Sequence, residues 1–216
     1  MEHPMILYDY FRSSAAYRVR IALNLKGLSA EHHFVHLRKG QTRTADYLAI
    51  NPQALVPSLA VDQGVVRQSL AIIEYLDEAF PDVPLLPADA LGRARVRNLA
   101  LAIACDIHPL NNLRVLSYLR ETLGLDEAAI NAWCKRWIEE GLTALEVLLV
   151  TESPEGDFCH GHQPTLADVC LMPQVFSAER FGCDLGQWPR IQRIAAHCRT
   201  LEAFIQAAPE RQPDAE

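Results

Sequence analysis

Hydrophobic and polar positions change rhythm near residue 81, and that change divides the chain. Before it, short apolar runs alternate with helix-spaced stretches. Residues 5–8 predict a strand. Residues 14–26 predict a helix, with Val19, Ala22 and Leu23 on one face, Ile21 and Leu25 on another, and Gly27 where a C-terminal cap belongs. Residues 31–37 predict a second strand feeding a loop at 38–42, and residues 44–50 a short helix stopped by Asn51-Pro52. Two strands, 58–61 and 65–67, flank a turn at Asp62-Gln63-Gly64 and predict a hairpin. Ser69 is placed to cap an amphipathic helix through residue 80, with Leu70, Ile73 and Leu76 spaced for a buried face. The order βαβαββα predicts a mixed sheet with helices on it, an α/β domain.

Pro81, Pro84 and Pro87 follow closely on one another, deny hydrogen bonds to helix and strand alike, and predict a linker. Helical spacing takes over from residue 88. A long stretch over 89–123 is interrupted at Pro109. Residues 126–150 predict a helix that sends Trp133, Trp137, Leu145 and Leu148 toward a core, and 151–163 a loop. Thr165-Leu166-Ala167-Asp168 is a capping box for a helix over 169–181, which Pro173 is expected to bend. Residues 188–208 predict the last helices and 211–216 a frayed tail. The expected organisation is an α/β domain over residues 1–82 followed by an all-α domain over 88–216.

Composition removes several functions. With 216 residues, 50% of them hydrophobic and 22% charged, the chain has globular composition and the length for a sizeable core. A formal charge of −7 argues against nucleic acid as a partner, because such binding rests on basic residues. No uninterrupted apolar segment approaches the ~20 residues of a membrane span, and Met1-Glu2-His3-Pro4 opens no secretory signal. Cysteines 105, 134, 159, 170, 183 and 198 form neither a C-x-x-C pair nor zinc-finger spacing. They predict free thiols in a reducing cytoplasm and no metal site.

Candidate chemistry gathers in the first domain. Ser13 and Ser14 stand at a helix start, where free backbone N–H groups and the helix dipole favour negative charge. A hydroxyl there either caps the helix or donates to an anion such as a thiolate. Pro57 precedes a strand, and a cis bond after Val56 would turn that residue's backbone outward as an edge able to pair with an extended peptide. Gln68-Ser69 opens another helix, whose N–H groups suit a carboxylate. Peptide edge, carboxylate site and hydroxyl together are what a γ-glutamyl tripeptide thiol requires.

The segment Phe11-Arg12-Ser13-Ser14-x-x-Tyr17-Arg18-Val19-Arg20-Ile21-Ala22-Leu23 resembles the signature of the zeta-class glutathione transferases, the family of maleylacetoacetate isomerases. The likeness continues through Leu55-Val56-Pro57, Gln68-Ser69-Leu70-Ala71, His108-Pro109-Leu110-Asn111-Asn112, Thr165 to Asp168 and Ala178-Glu179-Arg180-Phe181, spanning nearly the whole chain. It implies a thioredoxin-like domain followed by an all-helical one, a homodimer, and glutathione as cofactor. Position by position, it implies that Ser13 and Ser14 contact the glutathione thiolate and that Val56, before a cis Pro57, pairs with the cysteinyl backbone. It assigns Gln68 and Ser69 to the γ-glutamyl group, Gln41 and Thr42 to the glycyl end, and His108 and Asn112, one helical turn apart, to the tripeptide from the second domain. Arg180 matches an arginine that holds a substrate carboxylate, with Arg12 and Arg114 as further candidates. The planar guanidinium fork suits such a carboxylate.

Ala15 stands where many members of the family have cysteine. The attacking thiolate is therefore expected on glutathione and not on the chain. The implied reaction is cis–trans isomerisation of a small diacid substrate, maleylacetoacetate to fumarylacetoacetate, through reversible thiolate addition to the double bond. Maleylpyruvate isomerisation, glutathione transfer to small halo acids, and a non-catalytic glutathione-binding role are the alternatives.

Overall fold

The computed structural model describes residues 5–152 and 156–216. Residues 1–4, read above for a targeting signal, and residues 153–155 of the expected loop lie outside the described residues. The chain forms two compact units, Met1–Leu85 with Thr200–Glu216, and Leu86–Arg199. This division differs from the expected one in its boundary and in grouping residues 200–216 with the first unit.

In chain order the first unit begins with β1 (Ile6–Asp9), α1 (Ser14–Leu25), β2 (Glu31–Phe34), α2 (Ala45–Ile50), β3 (Ser58–Val61), β4 (Gly64–Arg67) and α3 (Ser69–Ala79). The second contains α4 (Ala90–Leu101), α5 (Leu113–Glu121), α6 (Glu127–Thr151), α7 (Leu166–Arg180) and α8 (Pro189–Cys198), and α9 (Glu202–Ala207) returns to the first.

The sheet order is β2-β1-β3-β4. β1 runs parallel to β2, with Leu7 opposite His32, and antiparallel to β3, with Leu7 opposite Leu59. A parallel pair needs a crossover, which α1 supplies. β3 and β4 form the expected hairpin, with Val61 opposite Gly64. β2 ends at Phe34, short of the expected 37, and the chain continues as 3₁₀ turns at Leu37–Lys39 and Gln41–Arg43. The thioredoxin-like α/β expectation holds for this unit, and the all-α expectation for the second.

The two apolar faces of α1 have a simple cause: the helix packs against both α3 and α9. Every residue from Ala16 to Leu23 is buried, including two arginines. Arg20 is held on all sides. Its Nη1 donates to both Asp9 carboxylate oxygens at 2.8 and 3.0 Å, its Nη2 to the Phe11 carbonyl at 2.9 Å, and its Nε to the Ala207 carbonyl at 2.9 Å. Removing two such ions from water costs several kcal/mol each, and only full hydrogen bonding offsets it.

One helix cap differs from expectation. Gln68 is the N-cap of α3, and Ser69 is the first helical residue. Its hydroxyl accepts from Arg18 Nη1 at 3.3 Å. The 211–216 segment is also not frayed. Gln212 donates through Nε2 to the carbonyls of Gln206 and Ala208, both at 2.9 Å, while Asp214 accepts from the Phe11 N–H at 3.0 Å.

In the second unit the interruption near Pro109 is spread over a wide turn and a tight one. Ala102–Ile107 winds as a π-helical turn, His108–Asn111 as a 3₁₀ turn, and Asn112 then caps α5. Gly141 of α6 leaves room for Ile107 at the end of the π turn; a Cβ there would collide with that side chain. The core line of α6 is Ile130, Cys134, Ile138, Leu142, Leu145 and Leu149. Trp133 and Trp137, expected in the core, are half-buried and pack edge-to-face on each other at 5.6 Å. α7 is buried all round from Leu166 to Val175, as befits a helix packed against α4, α6 and α8. The capping box forms as expected: the buried Asp168 carboxylate accepts from Thr165 N and Oγ1 and from Cys159 N, at 2.8, 2.9 and 2.8 Å. Among the described residues no helix is long and apolar enough to cross a membrane.

The Asp9 cluster sets a pH dependence. Burial alone would raise the Asp9 pKa, but the His32 hydrogen bond and the charge and hydrogen bond of Arg20 outweigh it and hold the carboxyl below its ordinary value. The resulting stabilisation is present above the unfolded-chain pKa of 3.8 and is lost as pH falls through the lower folded value. Asp9→Asn should therefore melt well below the wild type at neutral pH, by about 3–5 kcal/mol of unfolding free energy. The gap should narrow in melts below about pH 4. Parallel curves for the two proteins across that range would show that the pair contributes no pH-dependent stability.

Candidate active site

The turn from β1 to α1 presents Arg12, Ser13 and Ser14. Ser13 is the N-cap of α1, its Oγ accepting from Ala16 N at 3.2 Å. Capping uses an acceptor lone pair and leaves the hydroxyl proton available. The cap and an anion contact, alternatives on sequence grounds, are thus compatible at Ser13. The Ser14 hydroxyl enters no hydrogen bond among the described residues. Arg12 is half-buried, its guanidinium 5.2 Å from the Phe11 ring.

Before β3, the Val56–Pro57 peptide bond is cis. No hydrogen bond among the described residues engages the Val56 backbone. The approach to it is held by a network around Asn51, a residue that in the sequence stands out as a helix stop with Pro52 and not as a hydrogen-bonding centre. Asn51 donates to the Leu55 carbonyl at 2.8 Å and to Ser58 Oγ at 3.1 Å, and the Tyr47 hydroxyl donates to the same carbonyl at 2.7 Å. The side chains of Val56, Tyr10, Phe11, Val35 and Tyr47 form one buried cluster, which ties the serine turn to the Val56 edge.

At the start of α3, Gln68 adopts φ 72° and ψ 124°, a conformation that non-glycine residues rarely take. Its Nε2 donates to Gln53 Oε1 at 2.9 Å. Because Ser69 takes its bond from Arg18 of α1, the first turn of α3 is fixed to the helix that carries the serines. Gln41 and Thr42 lie in the second 3₁₀ turn. Thr42 is buried, while Gln41 uses its side-chain oxygen to accept from His36 N at 2.7 Å.

The second unit carries the remaining candidates. His108 and Asn112 were expected one turn apart on a helical face. Instead His108 opens the 3₁₀ turn, and Asn112 lies outside it as the cap of α5, its Oδ1 accepting from Arg114 N at 3.2 Å. The cap leaves the Asn112 amide nitrogen as a donor. Arg114 is exposed. Arg180, also exposed, ends α7 with its guanidinium 5.2 Å from the Phe181 ring. Its charge opposes burial at Cys134, where burial prevails and pushes the thiol up to about 11. Five of the six cysteines are buried, Cys105 is exposed, and all are free thiols. Burial also raises the pKa of Cys159, Cys183 and Cys198, leaving these thiols poor nucleophiles. Among the described residues no group of three or more His, Cys, Asp or Glu side chains is arranged to hold a metal ion.

Residues 12–79 match the family model of the glutathione S-transferase N-terminal domain. The chain is 52% identical to a maleylpyruvate isomerase from a Ralstonia species, over 97% of its own length and 99% of the relative's. Its fold superimposes with a TM-score of 0.96 on the holo structure of a maleylpyruvate isomerase described as a bacterial zeta-class glutathione S-transferase, at 52% identity, covering 98% of this chain and 100% of that one. A maleylacetoacetate isomerase from Methylobacterium extorquens AM1, solved with malonate and glutathione bound, gives a TM-score of 0.94 at 42% identity, covering 98% of this chain and 99% of that one. The chain belongs to the glutathione transferase family, in its zeta class of maleylacetoacetate and maleylpyruvate isomerases.

Gln68 offers a test of backbone strain. Such a conformation costs on the order of 1–3 kcal/mol, and glycine would relieve it at an entropic cost of about 0.5–1 kcal/mol. Gln68→Gly should leave stability in denaturant melts unchanged or raised by about 1 kcal/mol. A loss larger than that would mean that the Gln68–Gln53 bond outweighs the strain.

Proposed function

We propose that this protein is a glutathione-dependent cis–trans isomerase of a small unsaturated diacid, with maleylacetoacetate as substrate and fumarylacetoacetate as product. The carrying observation is near-full-length identity to isomerases in a chain whose Ser13 and Ser14 stand at a helix N-terminus with hydroxyl protons to give. Maleylpyruvate is the second candidate substrate, favoured by the 52% identity to an enzyme of that name.

The residues present suit glutathione. A Val56 backbone with no hydrogen-bond partner among the described residues fits an extended peptide. The start of α3 at Gln68 and Ser69 fits the γ-glutamyl carboxylate, Gln41 and Thr42 the glycyl end, and His108 and Asn112 supply further polar contacts. Bound there, glutathione supplies the thiolate that adds to the double bond and is regenerated. Ser13 and Ser14 lower the thiol pKa by donating to the charged form, helped by the helix end; each unit of lowering is about 1.4 kcal/mol of preference for thiolate. Arg180 grips a carboxylate of the diacid, with Arg12 and Arg114 as second choices for the same work. In this reading residues 1–82 carry most of the groups for glutathione and 88–216 the first-choice arginine for the diacid. The relative solved with glutathione and malonate, itself a small diacid, supports this ligand pair. We further propose a homodimer, for which Leu91 and Leu101, exposed on α4, are candidate contacts, and a location in the reducing cytoplasm, consistent with the free thiols.

The purified protein should isomerise both diacids only when glutathione is present; activity without glutathione would overturn the reading. Ser13→Ala and Ser14→Ala should raise the pKa of the bound thiol, read from thiolate absorbance against pH, and no change in either would leave them as structural residues. A charge-assisted bond at Arg180 contributes roughly 1.5–3 kcal/mol, so Arg180→Ala should lose about one to two powers of ten in kcat/KM with glutathione affinity unchanged. Arg180→Lys should recover part of that loss. Wild-type rates in Arg180→Ala would move the carboxylate role to Arg12 or Arg114. In sedimentation at micromolar concentration, a mass near the 24.2 kDa of one chain would remove the dimer.

A further inference from the structure

Phe11 lies immediately before Arg12 and Ser13, and its peptide groups are gripped from both sides. Arg20 Nη2 donates to its carbonyl at 2.9 Å, and its N–H donates to Asp214 Oδ2 at 3.0 Å. The second oxygen of Asp214 is buried with no hydrogen-bond partner among the described residues. The segment that delivers this carboxylate is itself well anchored. Pro209 is buried, the Gln212 amide bridges two carbonyls, and Glu216 meets His36 Nε2 at 2.7 Å with Lys39 Nζ at 3.9 Å. His36 in turn packs on Tyr10, the residue before Phe11, with ring centroids 5.1 Å apart.

We propose that Asp214 is a positioning residue for the thiol site: its carboxylate holds the Phe11 N–H and so fixes the turn that carries Ser13 and Ser14. The inference rests on the reading that those serines face the glutathione thiol. An acceptor oxygen is needed for the task, because the buried Phe11 N–H has no backbone partner among the described residues and would otherwise be orphaned away from water. The hold also reaches the other half of the site, since the Phe11 ring shares its cluster with Val56. Asp214 touches neither glutathione nor diacid in this account. It acts through one backbone N–H, over a sequence separation of 203.

The test compares wild type, Asp214→Ala, Asp214→Asn and a chain ending at Gln212, first by amide hydrogen exchange without glutathione. It then measures glutathione affinity and the thiolate absorbance of bound glutathione against pH. Asp214→Ala and the shortened chain should exchange the Phe11 amide about tenfold faster or more, the scale of one charge-assisted bond. Their bound thiol pKa should rise by several tenths of a unit. Asp214→Asn keeps an acceptor oxygen and should stay near wild type in both readouts. Unchanged Phe11 exchange would overturn the proposal. So would faster exchange with an unmoved thiol pKa, when Ser13→Ala and Ser14→Ala move it in parallel experiments. Serine variants that leave the pKa unmoved would instead sink the reading of the serines, and the positioning role with it. Global unfolding of both Asp214→Ala and the shortened chain would make the contact a general support of the fold and overturn the specific role.

Discussion

Arg20 divides one guanidinium among the Asp9 carboxylate, the Phe11 carbonyl and the Ala207 carbonyl, so the end of β1, the turn that follows it and the distant end of α9 meet on a single buried cation. Each contact fixes something different. Asp9 ends β1, Phe11 begins the serine turn, and Ala207 ends α9. A charge buried this deeply is tolerated only when its donors are satisfied, so any loosening of one partner strains the others. The geometry of the turn is therefore dictated by the core beneath it and not by the turn residues alone.

From that anchored turn follows the chemistry proposed for the site. The Ser13 hydroxyl serves the helix as an acceptor and keeps its proton, and Ser14 has no competing bond among the described residues. The Val56 edge and the serine turn share one aromatic cluster, while Arg18 ties the start of α3 to α1. Four of the protein's own thiols are unsuited to replace a bound one. Those of Cys134, Cys159, Cys183 and Cys198 are pushed toward the protonated form by burial. Ala15 leaves no thiol of the chain beside the serines, which fits a reaction whose nucleophile arrives with glutathione.

Periodicity revealed most elements because each carries its own signal: the hairpin at Asp62-Gln63, the box at Thr165 and Asp168, the breaks at Pro52 and Pro109. It missed what depends on distant partners. Ser69 reads as a cap, but Gln68 takes that position through a backbone angle no pattern encodes. Trp133 and Trp137 fall on the hydrophobic face by composition, while the core line of α6 runs one residue beyond each of them. The polar 211–216 segment reads as frayed because its bonds to Phe11 and His36 reach residues far away in sequence. The serines, Val56 and Gln68 were legible as candidates because helix starts and X-Pro bonds are local features. Asn51 and Asp214 were not, since their work lies in holding other residues.

The central claim is that the start of α1 and the Val56 edge form one site for the tripeptide thiol. A crystal structure of the protein with glutathione tests it most directly. The account predicts the glutathione sulfur within about 3.5 Å of the Ser13 or Ser14 hydroxyl, with the cysteinyl backbone hydrogen-bonded to Val56 N–H and C=O. A sulfur more than about 5 Å from both hydroxyls, beyond hydrogen-bond range, with the Val56 backbone left unpaired, would contradict it.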